Sequence, residues 1–487
     1  MSRLSACSGH CDPGVSTMSH PISLVLLAAL LLPLPAWAQG LLDQGWNPAA
    51  TSAQLILPNG AVHELVLSQR PLAPGRVGVV GVSRAGDVRA YLFLINGGLH
   101  SGHVYGASGR YSLLKTAQGL HWQRQDEQQF VADLSNDLST QNLSEAVQNP
   151  APQAAPDAEG LYQIDLLVLY TPLTRSRIAG EVADRALELV FLSNAFLENS
   201  GIPVRFRIAR VQAYRGTDES ADYFENKQAL IDDAAVRRAR DRAQADLVVL
   251  LRTNDEVTGF CGLSSGFNGG VPDGAEVPTD VDPERDAFVV VAIAPAAAGE
   301  DCGDIAPLFA HELGHTLGGG HQFLPSGSLS TRPSNLPLLP EVRAGYYWRP
   351  YAQPHYCGLG GDALPMETIM TGGVRANVSG QDVAAQGARR GDYFSNPELT
   401  VDGVVCGIGG PGYSEVERNH YLAMSEAAPY VAAYRGPASA SGEALKEQGQ
   451  SADAAGSPAA GGALAGIALL LLAVPRRRWR ASSFRRS

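Results

Sequence analysis

The sequence predicts an α/β (α+β) domain over residues 161–436, built on a mixed, mostly parallel sheet, with a β-rich domain over 39–134 ahead of it. Three observations carry that expectation. Between residues 161 and 251 apolar strand runs alternate with helical patterns, the order that sets helices between parallel strands. Before residue 134, runs such as Val77-Gly78-Val79-Val80-Gly81-Val82 and Arg89-Ala90-Tyr91-Leu92-Phe93-Leu94-Ile95 are divided by glycine and show no helical period. With 45% hydrophobic and 18% charged residues, a chain of 487 residues has apolar material for more than one core.

Taken in order, residues 1–38 read as a leader and signal peptide. An apolar run over 22–35 ends in Ala36-Trp37-Ala38, the small-x-small pattern of a cleavage site. The β-rich stretch 39–134 gives way at 135–160 to a segment rich in Ser, Asn, Gln, Ala and Pro, which has too little apolar surface to pack and reads as a linker.

The larger domain opens with a strand over 164–170. An amphipathic helix follows, with Val182, Ala186, Leu189, Val190 and Leu197 on one face, closed by Asn199-Ser200-Gly201. Val204-Arg205-Phe206-Arg207-Ile208 alternates as a half-exposed strand. A second helix is expected over 227–243, then a continuous apolar strand over 247–251. Phe260-Cys261-Gly262-Leu263 suits an edge strand able to pair with an extended chain. The acidic loop 273–286 lacks the EF-hand spacing, so a solvated loop is expected and calcium has no support. After a buried strand over 288–291 comes a helix with Asp304 as cap and Pro307 in its first turn. Ser414-Glu415-Val416-Glu417 has the form of a capping box opening a last helix that ends near Tyr434.

Within the helix after Asp304 stands His311-Glu312-Leu313-Gly314-His315-Thr316-Leu317-Gly318-Gly319-Gly320-His321. On a helix His311 and His315 project from one face toward a common point, a geometry suited to zinc. A catalytic zinc takes three protein ligands and keeps one position open, so a third ligand is needed. His321 is the candidate, provided the chain turns back after His315. Gly318-Gly319-Gly320 permits that turn, because glycine accepts positive φ at little cost. Glu312, beside the open position, is placed to take a proton from the attacking water and hand it to a leaving amine.

This H-E-x-x-H-x-x-G-x-x-H pattern, with Gly318 as its glycine, resembles that of the metzincin zinc endopeptidases, whose second hallmark is a methionine turn. Glu367-Thr368-Ile369-Met370-Thr371 offers one, with Met370 as the apolar floor beneath the metal and Met366 as competitor. Tyr393-Phe394-Ser395-Asn396-Pro397 and the opening strand Ile164-Asp165-Leu166-Leu167-Val168-Leu169-Tyr170-Thr171-Pro172 bring the likeness closest to bacterial secreted reprolysin (adamalysin)-like enzymes. The chain departs at Gln322, where reprolysins usually carry Asp, and no tyrosine closely follows Met370. The resemblance implies a secreted or cell-surface zinc metalloendopeptidase with an active-site helix and a lower subdomain, acting on proteins or peptides. A surface binding protein that keeps this fold without turnover is the rival.

On that reading the 39–134 domain is expected to be a propeptide that folds over the peptidase domain and inhibits it; a substrate-binding domain that stays attached is the alternative. It holds no cysteine to cap a metal, and its His100 and His103 read as loop histidines. Beyond the leader the cysteines are Cys261, Cys302, Cys357 and Cys406, an even set that reads as two disulfides in an exported chain. Of three connectivities, Cys261 with Cys302 and Cys357 with Cys406 is favoured. A net charge of −12 argues against a nucleic-acid partner. A small, polar linker over 437–460 leads to residues 461–487, an apolar run closed by Arg476-Arg477-Arg478-Trp479-Arg480. This tail resembles the GlyGly-CTERM sorting signals of Gram-negative bacteria, which implies transient membrane association before processing; a plain anchor is the alternative.

Overall fold

In the computed structural model the described residues run from 50 to 435, without 107–108, 117–118, 126–152, 179, 217–221, 254–260, 268–281, 295–304, 321–350, 353–355, 358–365, 371–376, 379–380, 383–388, 402 and 410–417. All of them fall within one compact unit, Met1–Glu447; the second unit, Gln448–Ser487, lies outside them and with it the tail, as does the leader. No helix among the described residues is long and apolar enough to cross a membrane.

The first seven strands form one antiparallel meander: β1 (Ser52–Ile56), β2 (Val62–Ala73), β3 (Arg76–Ser83), β4 (Val88–Ile95), β5 (Gly98–Gly106), β6 (Gly109–Thr116) and β7 (Gly119–Gln125), each paired with the next. Because side chains alternate across a sheet, β4 and β5 serve two cores. Val88, Ala90 and Val104 pack with Leu55, Leu65 and Tyr111 on one face, while Tyr91, Phe93 and Tyr105 join the core of the following domain. His100 and His103 lie on β5, not in a loop, and His103 is buried.

The second domain carries β8 (Tyr162–Tyr170), α1 (Pro172–Arg177), α2 (Val182–Asn199), β9 (Val204–Ala213), α3 (Tyr223–Asp232), α4 (Ala234–Ala243), β10 (Leu247–Thr253), β11 (Gly262–Ser264), β12 (Phe288–Ala294) and α5 (Ile305–Thr316). Its sheet has the order β11-β12-β10-β8-β9. β12, β10, β8 and β9 run parallel, and β11 lies antiparallel to β12 at the edge. Every residue of β10 is buried, as expected of a central strand covered on both faces.

The single helix expected over 227–243 is two. Asp233 is extended at φ −75° and ψ 105°; its backbone closes α3 and its carboxylate accepts from the Ala235 amide to open α4. A residue able to cap its own downstream backbone ends one helix and starts another at little cost. The end of the expected linker is packed: Ala154 N donates to Pro429 O, and Gln153 Nε2 donates to the Tyr430 hydroxyl.

Beyond α5 the described pieces are short: β13 (Tyr356–Cys357), β14 (Met366–Glu367), β15 (Asn377–Val378), β16 (Gln381–Asp382), β17 (Arg389–Arg390), β18 (Asn396–Val401) and β19 (Val404–Cys406). The last helix, His420–Val431, is opened by Asn419, whose side chain accepts from Leu422 N. The Ser414–Glu417 box, like Asp304, lies outside the described residues.

Candidate active site

α5 is almost wholly buried, its polar side chains included, and packs against α2, β11 and β12. Its end sets the geometry. Gly318, at φ +82°, lets Gly319 N reach back to Gly314 O (3.0 Å) and Gly318 N to His315 O (2.9 Å), a Schellman close that turns the chain out of the helix. The turn brings Gly319 O within 2.7 Å of His315 Nδ1. On the preceding turn His311 Nδ1 stands 2.9 Å from Ile369 O.

A carbonyl oxygen only accepts, so both Nδ1 atoms carry a proton, and a neutral ring held this way turns its Nε2 inward as an acceptor. Burial keeps His315 neutral, lowering its pKa to about 4. The two Nε2 atoms lie 3.1 Å apart. Two acceptors at that distance repel unless a cation lies between them. A tetrahedral ion about 2.0–2.1 Å from each would hold them roughly 3.3 Å apart. The pair therefore fits zinc, with each outer nitrogen oriented by a backbone carbonyl.

Glu312 is fully buried beside them. The edge strand meets it: a Cβ built on Gly262 would lie 2.3 Å from Glu312 Oε1. Met370 packs under the helix between the histidines, where a Cβ on Gly314 would come within 2.7 Å of its Sδ and 3.0 Å of Phe394 Cε1. The Met366 side chain is outside the described set.

His321 lies outside the described residues, and among those described no three His, Cys, Asp or Glu side chains form a metal-binding group. The chain leading to it is held on both sides: Gly320 N donates to Ala352 O (2.9 Å), and Gly320 O accepts from His420 Nε2 (3.1 Å). His420 is buried, its pKa lowered by burial to about 3, and its Nδ1 stands 2.9 Å from Ser395 Oγ. Sequence reasoning missed His420, because Asn419-His420 reads only as a helix cap and its first residue. Cys261 and Cys406 are disulfide-bonded, and β13, which carries Cys357, packs on β19, which carries Cys406. Cys302 and the Cys357 side chain are outside the described set.

Residues 185–322 match the family model described as metallo-peptidase family M12B, reprolysin-like. That span runs from α2 through the three motif histidines and supports a reprolysin-like, zinc-dependent metallopeptidase. Among solved structures, a chain from a chaperone–substrate complex is similar with a TM-score of 0.38 and 18% identity, over 69% of this chain and 44% of that one. Metalloproteinase-II from Bacteroides fragilis is similar with a TM-score of 0.33 and 13% identity, over 58% of this chain and 85% of its own. This chain thus spans less than half the length of the first of these. No curated protein matches it.

Proposed function

We propose that this protein is an exported zinc-dependent metalloendopeptidase that hydrolyses internal peptide bonds of proteins. The observation that carries the reading is the convergence of the His311 and His315 Nε2 atoms, 3.1 Å apart, with each Nδ1 held by a backbone carbonyl and Glu312 between them in sequence. His311, His315 and His321 would hold the ion. Zinc, when bound, polarises the scissile carbonyl and lowers the pKa of a water to about 7.

The chain's own residues do the rest. The Ile369 and Gly319 carbonyls fix the tautomers of the two histidines. Glu312, packed against Gly262, takes the proton from the attacking water and returns it to the departing amine. β11, antiparallel at the sheet edge beside Glu312, offers backbone groups to an extended substrate. Met370 seats the helix turn from below, the role of a methionine turn.

Export is supported by the apolar run ending in Ala36-Trp37-Ala38 and by disulfide-bonded Cys261 and Cys406, for which we propose Cys302 and Cys357 as partners. The tail over 461–487 would give transient membrane association during secretion or surface display.

Casein hydrolysis by the purified protein, with metal analysis and a 1,10-phenanthroline control, tests the reading. One zinc per chain and chelator-sensitive cleavage are expected. Bound zinc with no cleavage of any protein offered would transfer the assignment to the non-catalytic surface protein.

A further inference from the structure

The β-rich domain meets the second domain through a buried face. Tyr91, Phe93 and Tyr105 enter the same core as Phe191 and Phe196 of α2, with Tyr91 and Tyr105 each edge-on to Phe196 at 5.7 Å. Gly78 lies so close that a Cβ there would stand 2.4 Å from Phe191. Around this apolar patch three buried carboxylates of the second domain take partners from the β domain. Asp184 is gripped by Arg76 at 2.8 and 3.2 Å. Glu188 accepts from Ser101 and lies 3.5 Å from His103 Nε2; despite burial, which alone would raise its pKa, Arg185 and these partners hold it far below the usual carboxylate range. Asp392 accepts from the Tyr91 hydroxyl, which itself accepts from Asn199 Nδ2 at 2.6 Å, and Arg89 lies 3.8 Å from Asp392 and 4.7 Å above the Tyr393 ring.

Departure of the β domain would expose those aromatic rings and strip donors from carboxylates that are buried. The last of the three leads toward His311. Tyr393 O accepts from Ile369 N at 2.7 Å, and Ile369 O is the acceptor that holds His311 Nδ1 at 2.9 Å. A continuous path of contacts thus runs from Tyr91 and Arg89, through Asp392-Tyr393 and Ile369, to His311.

We propose that the β domain is a permanent part of the working protein and that Tyr91 and Asp392 are positioning residues that hold the Tyr393–Ile369 backbone against the outer nitrogen of His311. The inference rests on His311 being a metal ligand, as proposed above. It replaces the inhibitory propeptide with the attached domain.

Two readouts independent of turnover test it. First, a specific protease site placed in the 135–152 stretch of the full chain allows the chain to be cut under native conditions. The β domain should co-elute with the peptidase domain on gel filtration, with zinc still bound. Separation of the two with unchanged zinc affinity would overturn the proposal, as would release of the β domain accompanied by a rise in proteolysis. Second, Tyr91→Phe keeps the ring on Phe196 but removes the hydroxyl from Asp392. Zinc affinity, read by chelator competition, should weaken about tenfold, the lower end for an outer-shell partner. Arg70→Ala, which breaks the more exposed Arg70–Glu198 pair at the same interface, should leave it unchanged. Equal zinc affinity in the Tyr91→Phe variant and wild type, or equal weakening in both variants, would also overturn it. If neither the cut nor the intact chain hydrolyses protein while both results hold, the peptidase reading fails and the positioning role stands.

Discussion

A Cβ on Gly262 would lie 2.3 Å from Glu312 Oε1, 2.5 Å from its Cδ and 2.7 Å from its Cγ. The edge strand and the Glu312 carboxylate are in van der Waals contact, and only the absence of a side chain at 262 allows it. The obstacle is the far end of a flexible side chain rather than backbone, so Gly262→Ala should be accommodated by displacing the carboxylate. Fold and zinc content should stay near wild type while kcat falls about a hundredfold, the usual cost of ångström-scale misplacement. Glu312→Ala should do the same to a greater degree. Wild-type kcat in Gly262→Ala, with zinc content and melting temperature checked alongside, would remove Glu312 from its role.

Gly314 faces the opposite side of α5, where an added methyl would meet Met370 Sδ at 2.7 Å and Phe394 Cε1 at 3.0 Å. In an exposed helix Gly→Ala gains about 1 kcal/mol. Here overpacking opposes that gain, and Met370 and Phe394 are fully buried with little room to yield. Gly314→Ala should lose about 1–3 kcal/mol in urea unfolding. A variant more stable than wild type would show that Met370 does not seat against the helix.

Much of this arrangement is legible in the sequence, and the parts that are not share a cause. The order of strands and helices in the second domain follows local period, and Gly318 closes α5 as its place in the motif predicts. α2 shows its inner face, Val182, Ala186, Leu189, Val190 and Leu197, through that period. Asp184, Glu188 and Phe191 lie off that face and are buried all the same, because a sheet some hundred residues upstream covers them. Local pattern reports one buried side, and tertiary contact adds the second. His420 is hidden for the same reason: its partners, Gly320 and Ser395, are distant in sequence. The break at Asp233 was open to reasoning from capping chemistry, but the helix formers on both sides masked it.

Removal of the metal should weaken the fold as well as the activity. With each Nδ1 held against a backbone carbonyl, the Nε2 atoms of His311 and His315 stand 3.1 Å apart, a spacing that a bound cation would stabilise. A ligand that binds only the folded state at a hundred times its Kd stabilises by about 2.7 kcal/mol. Chelation should therefore lower the melting temperature by a few degrees, and added zinc should restore it. An unchanged melting curve over a range of free zinc would mean that the pair holds no metal.

The last prediction concerns pH and rests on Asp246. Asp246 is 1% exposed, accepts from Asp165 N (2.8 Å) and Arg435 N (3.0 Å), and has its pKa raised by burial to about 7. In the unfolded chain it returns to about 3.9. Between those values the folded state holds a proton that the unfolded state releases, so this group's contribution is complete below about pH 4 and is lost as pH rises toward 7. Asp286, raised by burial to about 6, acts in the same direction. His315 and His420, lowered by burial to about 4 and about 3, act oppositely, because the unfolded chain binds their protons first. The wild-type curve from pH 5 to 7 is thus a near-balance, and the informative quantity is the difference between wild type and Asp246→Asn in metal-free protein. Asn carries no charge at any pH, so the variant should gain on wild type by about 2–3 kcal/mol across that interval, at 1.36 kcal/mol per pH unit. Unfolding in urea at pH 5, 6 and 7 measures it. Parallel curves for the two proteins would mean that Asp246 is ionised throughout.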